Sequence, residues 1–211
     1  MRTYYEGHDS AYIKKKTNGE VGWSTVEETN ENYRTIRPLL EEHVSSSSCL
    51  LELGCGAGDL TEKLLLHTHK ITGVDISKTA ISWALSKTTV PEFLCKNLLC
   101  ENSFPKNSFD IAVDSLFMHC IIGNDRKIIL ENIHSWLKPN GKFILNTMCG
   151  EPFGVLRNGY CEETRNIYYN EIATRHIGKP DVIVQEIEAC NFITLQQSLI
   201  DNMLASVHQC A

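Results

Sequence analysis

The fold is decided by residues 49–76, which read CLLELGCGAGDLTEKLLLHTHKITGVDI. An apolar run at 49–53 leads into a glycine-rich turn, an amphipathic stretch and a second apolar run at 70–76. Two short apolar strands that flank a glycine turn and a helix make a βαβ unit, in which the strands lie parallel. This stretch therefore predicts an α/β fold.

The same alternation continues on the carboxyl side of this unit. Apolar runs predict further strands at 91–97, 109–114 and 142–147, separated by a helix that Ser77 caps and a helix that the pair Asn124-Asp125 caps. Pro180 opens a closing helix, and the runs 191–196 and 204–208 form an antiparallel hairpin. We expect a Rossmann-like, seven-stranded, mostly parallel sheet with an antiparallel C-terminal strand and helices on both faces.

The glycine turn carries the first indication of chemistry. Gly54, Gly56 and Gly58 let the backbone turn sharply and approach a ligand, while helix N–H groups point into the site. Asp75 ends the second strand, where a carboxylate accepts hydrogen bonds from ribose hydroxyls. These features predict a cofactor that contains adenosine.

The turn also indicates which cofactor. Its spacing is G-x-G-x-G, whereas dinucleotide-binding turns have G-x-G-x-x-G. Glu52, two residues before Gly54, would repel a pyrophosphate but suits a ligand with sulfonium and ammonium groups. S-adenosyl-L-methionine has both groups, and its product after methyl transfer is S-adenosyl-L-homocysteine.

These residues resemble the class I S-adenosylmethionine-dependent methyltransferases. The resemblance covers roughly 49–209 and depends on LLELGCGAGDL, ITGVDIS, the FPKNSFD approach to strand four at 104–110, and LKPNGKFIL at 137–145. It implies one methyltransferase domain over 1–211. Its parts are an N-terminal arm and helix at 1–48, a cofactor-binding half at 49–147, a substrate lid at 148–179, and a closing helix and hairpin at 180–211.

The resemblance also implies roles for individual residues. Glu52, Gly54 and Gly56 line the methionine end with Cys55 between the glycines, and Asp75 binds the ribose. The residues around the adenine are Ile76, Ser77, Asn97 and Leu98. The family often has Asp where this chain has Asn97, whose carbonyl oxygen still accepts a hydrogen bond from the adenine amino group.

The acceptor end is predicted from the segment after strand four. Asp114 overlooks the transferred methyl and orients the acceptor, and His119 is the candidate general base because its ordinary pKa suits proton removal. A capping role for Asp114 and a structural role for His119 are the alternatives. The segment lacks the Pro-Pro-Tyr motif of nucleic-acid and amide N-methyltransferases, which favours a small-molecule acceptor such as a thiol, amine, carboxylate or hydroxyl compound.

Two further regions are candidates for contact with the acceptor. The aromatic arm at 1–23 includes Tyr4, Tyr5 and Tyr12, and its Trp23 either covers the ligands or merely packs. The region 148–179 has no clear strand and several arginines, so we interpret it as a lid in which Arg165 and Tyr168 contact substrate. The arginines either turn inward to bind an anionic acceptor or outward into solvent.

Composition excludes several classes. A net charge of -6 without long charge runs argues against nucleic acid, and no apolar stretch is long enough to span a membrane. Nine cysteines without a CxxC pair predict a reducing cytoplasm, and no metal site is expected.

The protein is expected to be a monomer or a homodimer. The rival functions are a nicotinamide-dependent oxidoreductase and a non-catalytic S-adenosylmethionine-binding regulatory module.

Overall fold

The computed structural model describes Tyr5 and residues 7–211, so Tyr4 of the predicted aromatic arm lies outside the described residues. The strands are β1 Leu50–Leu53, β2 Ile71–Asp75, β3 Glu92–Cys95, β4 Phe109–Ser115, β5 Leu137–Met148, β6 Tyr160–Cys161, β7 Asn166–Tyr169, β8 Ile172–His176, β9 Phe192–Ile200 and β10 Met203–Cys210. The α-helices are α1 Gly7–Thr17, α2 Val26–His43, α3 Asp59–Leu64, α4 Lys78–Lys87, α5 Asp125–Trp136 and α6 Pro180–Glu188. Short 3₁₀ helices cover Glu101–Ser103, Met118–Cys120 and Gly154–Arg157.

The central sheet has seven strands in the order β3-β2-β1-β4-β5-β10-β9. Six of them are parallel, and β10 is antiparallel to both β5 and β9. This confirms the seven-stranded Rossmann-like fold with its antiparallel C-terminal strand. The chain leaves β1 for β2 on one side and later returns to β4 on the other. A crevice at this reversal, outside the carboxyl ends of the strands, is the general ligand site of such sheets.

The core lies on both faces of the sheet. All four residues of β1 are buried, as expected of a strand that pairs on both edges and is covered above and below. On one face, α2 and α3 contribute Ile36, Leu40 and Leu64 to the packing. On the other face, α5 and α6 pack their apolar sides, including Trp136 and Ile187, against the strands.

The starts of α2, α4 and α5 differ in how they are capped. A capping box begins α2, in which the Thr25 hydroxyl accepts from the Glu28 N–H and the Glu28 carboxylate accepts from the Thr25 N–H. Ser77 caps α4 as predicted and accepts from the Ala80 N–H at 3.0 Å. Asn124 precedes α5 but makes no capping hydrogen bond through its side chain.

The N-terminal arm contains a helix. Residues 7–17 form α1, and Lys14, Lys15 and Lys16 lie in its last turn, where cations stabilise the carboxyl end of a helix. Asp9 joins α1 to the start of α4, because its carboxylate accepts from the Thr79 N–H and the Ser77 hydroxyl at 2.9 and 2.7 Å. The arm is thus a helix anchored beside the glycine turn.

The region 148–179 also departs from expectation, because it contains strands. β6, β7 and β8 form a separate three-stranded antiparallel sheet. A register shift between Ile167 and Tyr168 interrupts the alternation of buried and exposed residues that would have revealed β7 in the sequence.

Of the helices in the described part of the chain, none is long and apolar enough to cross a bilayer.

Candidate active site

A cavity of about 550 Å³ opens at the carboxyl ends of β1, β2 and β4. This volume lies within the range of about 300–1,000 Å³ that is usual for ligand sites. Its walls come from the glycine turn, the ends of these strands, α1, α2, and β8. The cavity therefore occupies the crevice that the strand order creates.

The glycine turn approaches the cavity with bare backbone. Gly54 and Gly56 have φ angles of 63° and 55°, in the left-handed region that favours glycine. A Cβ atom at Gly54 would lie 2.7 Å from the Phe117 ring, and one at Gly56 would lie 2.5 Å from the Tyr12 hydroxyl. Cys55 lies between them, buried, and also lines the cavity. The turn thus forms a cradle that side chains would fill.

Asp75 lies where the sequence places a ribose-binding carboxylate. Its two oxygens accept from the Gly56 N–H at 3.1 Å and the Ser77 N–H at 2.8 Å, which fixes the side chain at the cavity wall. Burial raises the pKa of this carboxyl, although the backbone hydrogen bonds oppose the shift. Each oxygen has a further lone pair, so the carboxylate is suited to accept from a pair of hydroxyls.

Glu52 is the second carboxylate of the cavity wall. It is 2% exposed, and its carboxylate accepts from the Thr61 hydroxyl. Burial is the main cause that raises its pKa to about 8; the Thr61 hydrogen bond opposes the shift, and the charges of Asp59 and Asp75 add to it. A cationic ligand would favour the ionised form of this carboxyl. The site thus suits an ammonium or sulfonium group and disfavours a pyrophosphate.

The predicted adenine-side residues divide into two groups. Ile76, Asn97 and Leu98 line the cavity. The Asn97 amide oxygen already accepts from the Leu99 N–H at 3.0 Å, so only its second lone pair is available to a ligand. Ser77 does not line the cavity. Its fully buried hydroxyl caps α4 and donates to Asp9, which corrects its placement beside the adenine.

Asp114 is placed differently from the expectation that it orients an acceptor. The carboxylate is fully buried behind the cavity wall, and its oxygens accept from the Phe117 and Met118 N–H groups at 2.8 and 2.7 Å. It therefore caps the segment after β4, the alternative considered from sequence. Burial raises its pKa to about 7, against these two hydrogen bonds.

His119 lies in the cavity wall and is 4% exposed. Nδ1 has no hydrogen-bond partner among the described residues, and Nε2 is 3.6 Å from the Cys120 sulfur. Burial, followed by the charges of Arg175 and Arg126, holds the pKa of the imidazole well below its usual value. The ring is therefore neutral near pH 7, and its cationic form is disfavoured.

The predicted acceptor residues are only partly brought together. Trp23 lines the cavity and packs on Tyr12, with ring centroids 5.2 Å apart. Arg165 and Tyr168 lie outside the cavity wall, contrary to expectation. The Arg165 guanidinium donates to the carbonyls of Ile177 and Gly150, so it ties the small sheet to the end of β5. The Tyr168 hydroxyl is 3.3 Å from that of Thr164.

Sequence reasoning did not single out four residues that the structure places at this site. Tyr5 lines the cavity and its hydroxyl accepts from the Ile122 N–H at 2.8 Å. His8 and Tyr12 also line the cavity, and their spacing of four residues, which places them on one helix face, is a signal that the sequence offered. Arg175 is the arginine of the region 148–179 that reaches the cavity.

The fold and cavity define an α/β protein that binds a nucleoside cofactor at the end of its first strand. Comparison with known proteins narrows this class. Residues 51–145 match the family described as Methyltransferase domain. The matched segment, 95 of the 211 residues, is similar to methyltransferase domains, and this similarity indicates S-adenosylmethionine as the cofactor.

Individual relatives share the domain but differ in chemistry. An uncharacterized methyltransferase of Schizosaccharomyces pombe is 31% identical over 114 residues, which are 51% of this chain and 42% of the relative. The arginine-hydroxylase NDUFAF5 of Rattus norvegicus is 35% identical over 111 residues, 51% of this chain and 31% of that protein. The chain thus spans less than half the length of these curated relatives.

A solved structure shows the same fold over nearly the whole chain. The 1,6-didemethyltoxoflavin-N1-methyltransferase of Burkholderia thailandensis, with bound 1,6-didemethyltoxoflavin and S-adenosylhomocysteine, has a TM-score of 0.67 at 16% identity. The match covers 99% of this chain and 89% of that one. At this identity the likeness establishes the fold alone.

Proposed function

We propose that this chain transfers the methyl group of S-adenosylmethionine to a small-molecule acceptor, as one domain with residues 148–179 on its acceptor side. The observation that carries the proposal is the cavity itself. It continues from the glycine turn, Glu52 and Asp75 to a far end formed by α1, the segment after β4, and β8. A single continuous cleft of this kind can hold the cofactor and a small acceptor together.

The chain's own contribution is mainly alignment and the exclusion of water. S-adenosylmethionine supplies an electrophilic methyl group when bound, so the reaction does not depend on a metal. Glu52 and Asp75 hold the cofactor's polar groups, while Tyr5, Tyr12 and Trp23 cover the cavity from the N-terminal side. Excluding water strengthens the attraction between buried charges and protects the transferring group.

Neither of the two predicted catalytic residues is suited to remove a proton from the acceptor. Asp114 is occupied as a cap, and the neutral His119 is a weak base because burial and Arg175 disfavour its cationic form. We therefore expect acceptors whose nucleophilic atom is already unprotonated, or loses its proton readily, at the working pH. Carboxylates and acidic thiols meet this condition better than alcohols.

Two features support a small, soluble acceptor over a macromolecule. The net charge of -6 disfavours nucleic acid, and α1 and the three-stranded sheet wall in the acceptor end. We place the reaction in a reducing compartment such as the cytoplasm, because all nine cysteines are free thiols. We expect a monomer or a homodimer as the working form.

Calorimetric titration with S-adenosylmethionine, S-adenosylhomocysteine and NADH tests the cofactor assignment. We expect both sulfur ligands to bind and NADH not to bind. Asp75→Asn should weaken S-adenosylmethionine binding by roughly 10- to 100-fold, because it removes a charged acceptor. Asp181→Asn on the exposed side of α6 is the control and should bind normally.

A methyl-transfer screen of small carboxylates, thiols, amines and phenols, with mass spectrometry as the readout, tests the activity. Methylated product that depends on Asp75 supports the proposal. Tight cofactor binding without transfer to any compound would favour the regulatory module, and binding of NADH instead would favour the oxidoreductase.

A further inference from the structure

The acceptor end of the cavity is distinguished by one guanidinium group. Arg175 lies on β8, opposite Ile167 of β7, and its half-buried side chain lines the cavity. Nη1 donates to the Thr174 carbonyl at 2.7 Å. Among the described residues this is its one hydrogen bond, and no carboxylate pairs with it. A guanidinium has five N–H donors, so most of its hydrogen-bonding capacity is free.

Aromatic rings beside Arg175 support its guanidinium group without neutralising its charge. The guanidinium carbon lies 5.9 Å from the centroid of the Trp23 ring, within the range of cation–π attraction. Trp23 in turn stacks on His8, with ring centroids 5.6 Å apart. An aromatic face supports a guanidinium while leaving the N–H donors in its plane available to an anion.

The local field at this end is positive. Burial, and after it the charge of Arg175, lowers the pKa of His8 to about 4 and holds the pKa of His119 well below its usual value. The carboxylates of the cavity wall come instead from β1, β2, the first two turns of α2 and the first turn of α3. The other cation of the wall, Lys96, donates to the Ser103 carbonyl at 2.6 Å.

The charge of the site indicates the charge of the anion that it would bind. One guanidinium beside two neutral imidazoles carries a single positive charge, which balances a monoanion. A phosphate dianion would remain undercompensated in a cavity that also contains five carboxylates, those of Glu28, Glu31, Glu52, Asp59 and Asp75. A carboxylate, planar and singly charged, matches the guanidinium fork.

We infer that the methyl acceptor is a carboxylate-bearing small molecule whose carboxylate is held by Arg175 beside Trp23. This inference deepens the proposed function and assumes the same cavity. It gives the acceptor-recognition role to Arg175 and not to Arg165, whose guanidinium is committed to backbone carbonyls.

Matched pairs of carboxylates and neutral amides test this inference by calorimetry. The probes are acetate and acetamide, benzoate and benzamide, and indole-3-acetate and indole-3-acetamide, each titrated with and without saturating S-adenosylhomocysteine. At least one carboxylate should bind about 10- to 100-fold more tightly than its amide, the usual effect of a charge-assisted hydrogen bond. Equal affinity within every pair, or no binding of any carboxylate, would overturn the inference.

Variants assign the preference to a residue. Arg175→Gln should abolish it, and Arg175→Lys should retain part of it because the charge remains while the fork is lost. Arg37→Gln, which removes an equal charge from the exposed side of α2, should change nothing. Normal S-adenosylhomocysteine affinity shows that each variant is folded, and a preference that survives Arg175→Gln refutes the assignment.

The outcomes separate this inference from the proposed function. A carboxylate preference in a protein that does not bind S-adenosylhomocysteine would refute the methyltransferase proposal and leave the anion site intact. Methyl transfer to neutral compounds alone, with Arg175→Gln fully active, would refute the anion site and leave the methyltransferase proposal intact.

Discussion

Replacing Gly56 by alanine tests the contact between α1 and the glycine turn. Gly56 has a φ of 55°, and an added Cβ would lie 2.5 Å from the Tyr12 hydroxyl oxygen. Tyr12 is 5% exposed and its ring packs on Trp23, so its side chain has little room to swing away. The variant therefore meets two separate penalties, one from the backbone and one from the contact.

The two penalties differ in size and in what relieves them. The left-handed backbone costs an L-residue about 1–2 kcal/mol, and overpacking a buried contact costs about 1–3 kcal/mol. Gly56→Ala should lower the free energy of unfolding by their sum, about 2–5 kcal/mol. Tyr12→Phe removes the clashing oxygen, and the next ring atom lies 3.5 Å from the added Cβ, an ordinary contact.

Urea unfolding of the single and double variants measures the two penalties. Gly56→Ala combined with Tyr12→Phe should lose only the backbone penalty of about 1–2 kcal/mol, so the coupling energy is about 1–3 kcal/mol in favour of the double variant. Gly58→Ala is the matched control, since its φ is 79° and its nearest neighbour is the Ala84 side chain at 3.2 Å. Tyr12→Phe should not rescue Gly58→Ala. Zero coupling between Gly56 and Tyr12 would refute the placement of α1 over the turn.

Three further predictions follow from the charged groups of the site. Burial raises the Glu52 pKa from 4.5 to about 8, so the unfolded chain releases this proton first and the stability of the cofactor-free protein falls between these two pH values. Glu52→Gln should make urea unfolding midpoints less dependent on pH in that window, and an unchanged slope would contradict the raised pKa. Asp9→Ala should lower stability by about 0.5–2 kcal/mol, as the loss of a helix cap does, whereas Asp9→Asn, which keeps an acceptor oxygen, should lose less. His119 should contribute no inflection near pH 6.5 to the pH profile of the methyl-transfer rate, because its pKa is held well below that value. An inflection there that disappears in His119→Ala would contradict the buried, neutral ring.

The parts of the fold that sequence predicted are those where local chemistry and burial agree. β1 is apolar throughout because it is buried throughout, and the glycines that follow have the left-handed angles that such a turn requires. Asp75 could be placed because one βαβ unit carries both the turn and the end of β2. The structure contains every element predicted between 49 and 147, with boundaries that differ by a few residues.

The parts that sequence missed depend on long-range contacts. β6, β7 and β8 are short and bury little apolar surface alone, so their pattern is weak. Both carboxylate oxygens of Asp114 accept hydrogen bonds from N–H groups of the turn that follows β4. These bonds depend on the backbone path of that turn, which the sequence does not reveal. The sequence alone does not distinguish Arg165 from Arg175 as the arginine that reaches the cavity. They differ because Arg165 lies at a positive φ of 53° outside β7, while Arg175 is paired within β8.

The cofactor end and the acceptor end of the cavity come from different parts of the sequence, and this difference affects acceptor preference. The cofactor end is built mainly from β1 to β2, a contiguous segment whose spacing is constrained by one ligand. The acceptor end joins His8 on α1, His119 after β4 and Arg175 on β8, three segments that are far apart in sequence and meet only in the folded chain. Substitutions at these three positions leave the contacts of Glu52 and Asp75 in place, so acceptor preference can change while cofactor binding is retained. Relatives that share residues 51–145 therefore need not share an acceptor, and Arg175 is more informative about it than the glycine turn.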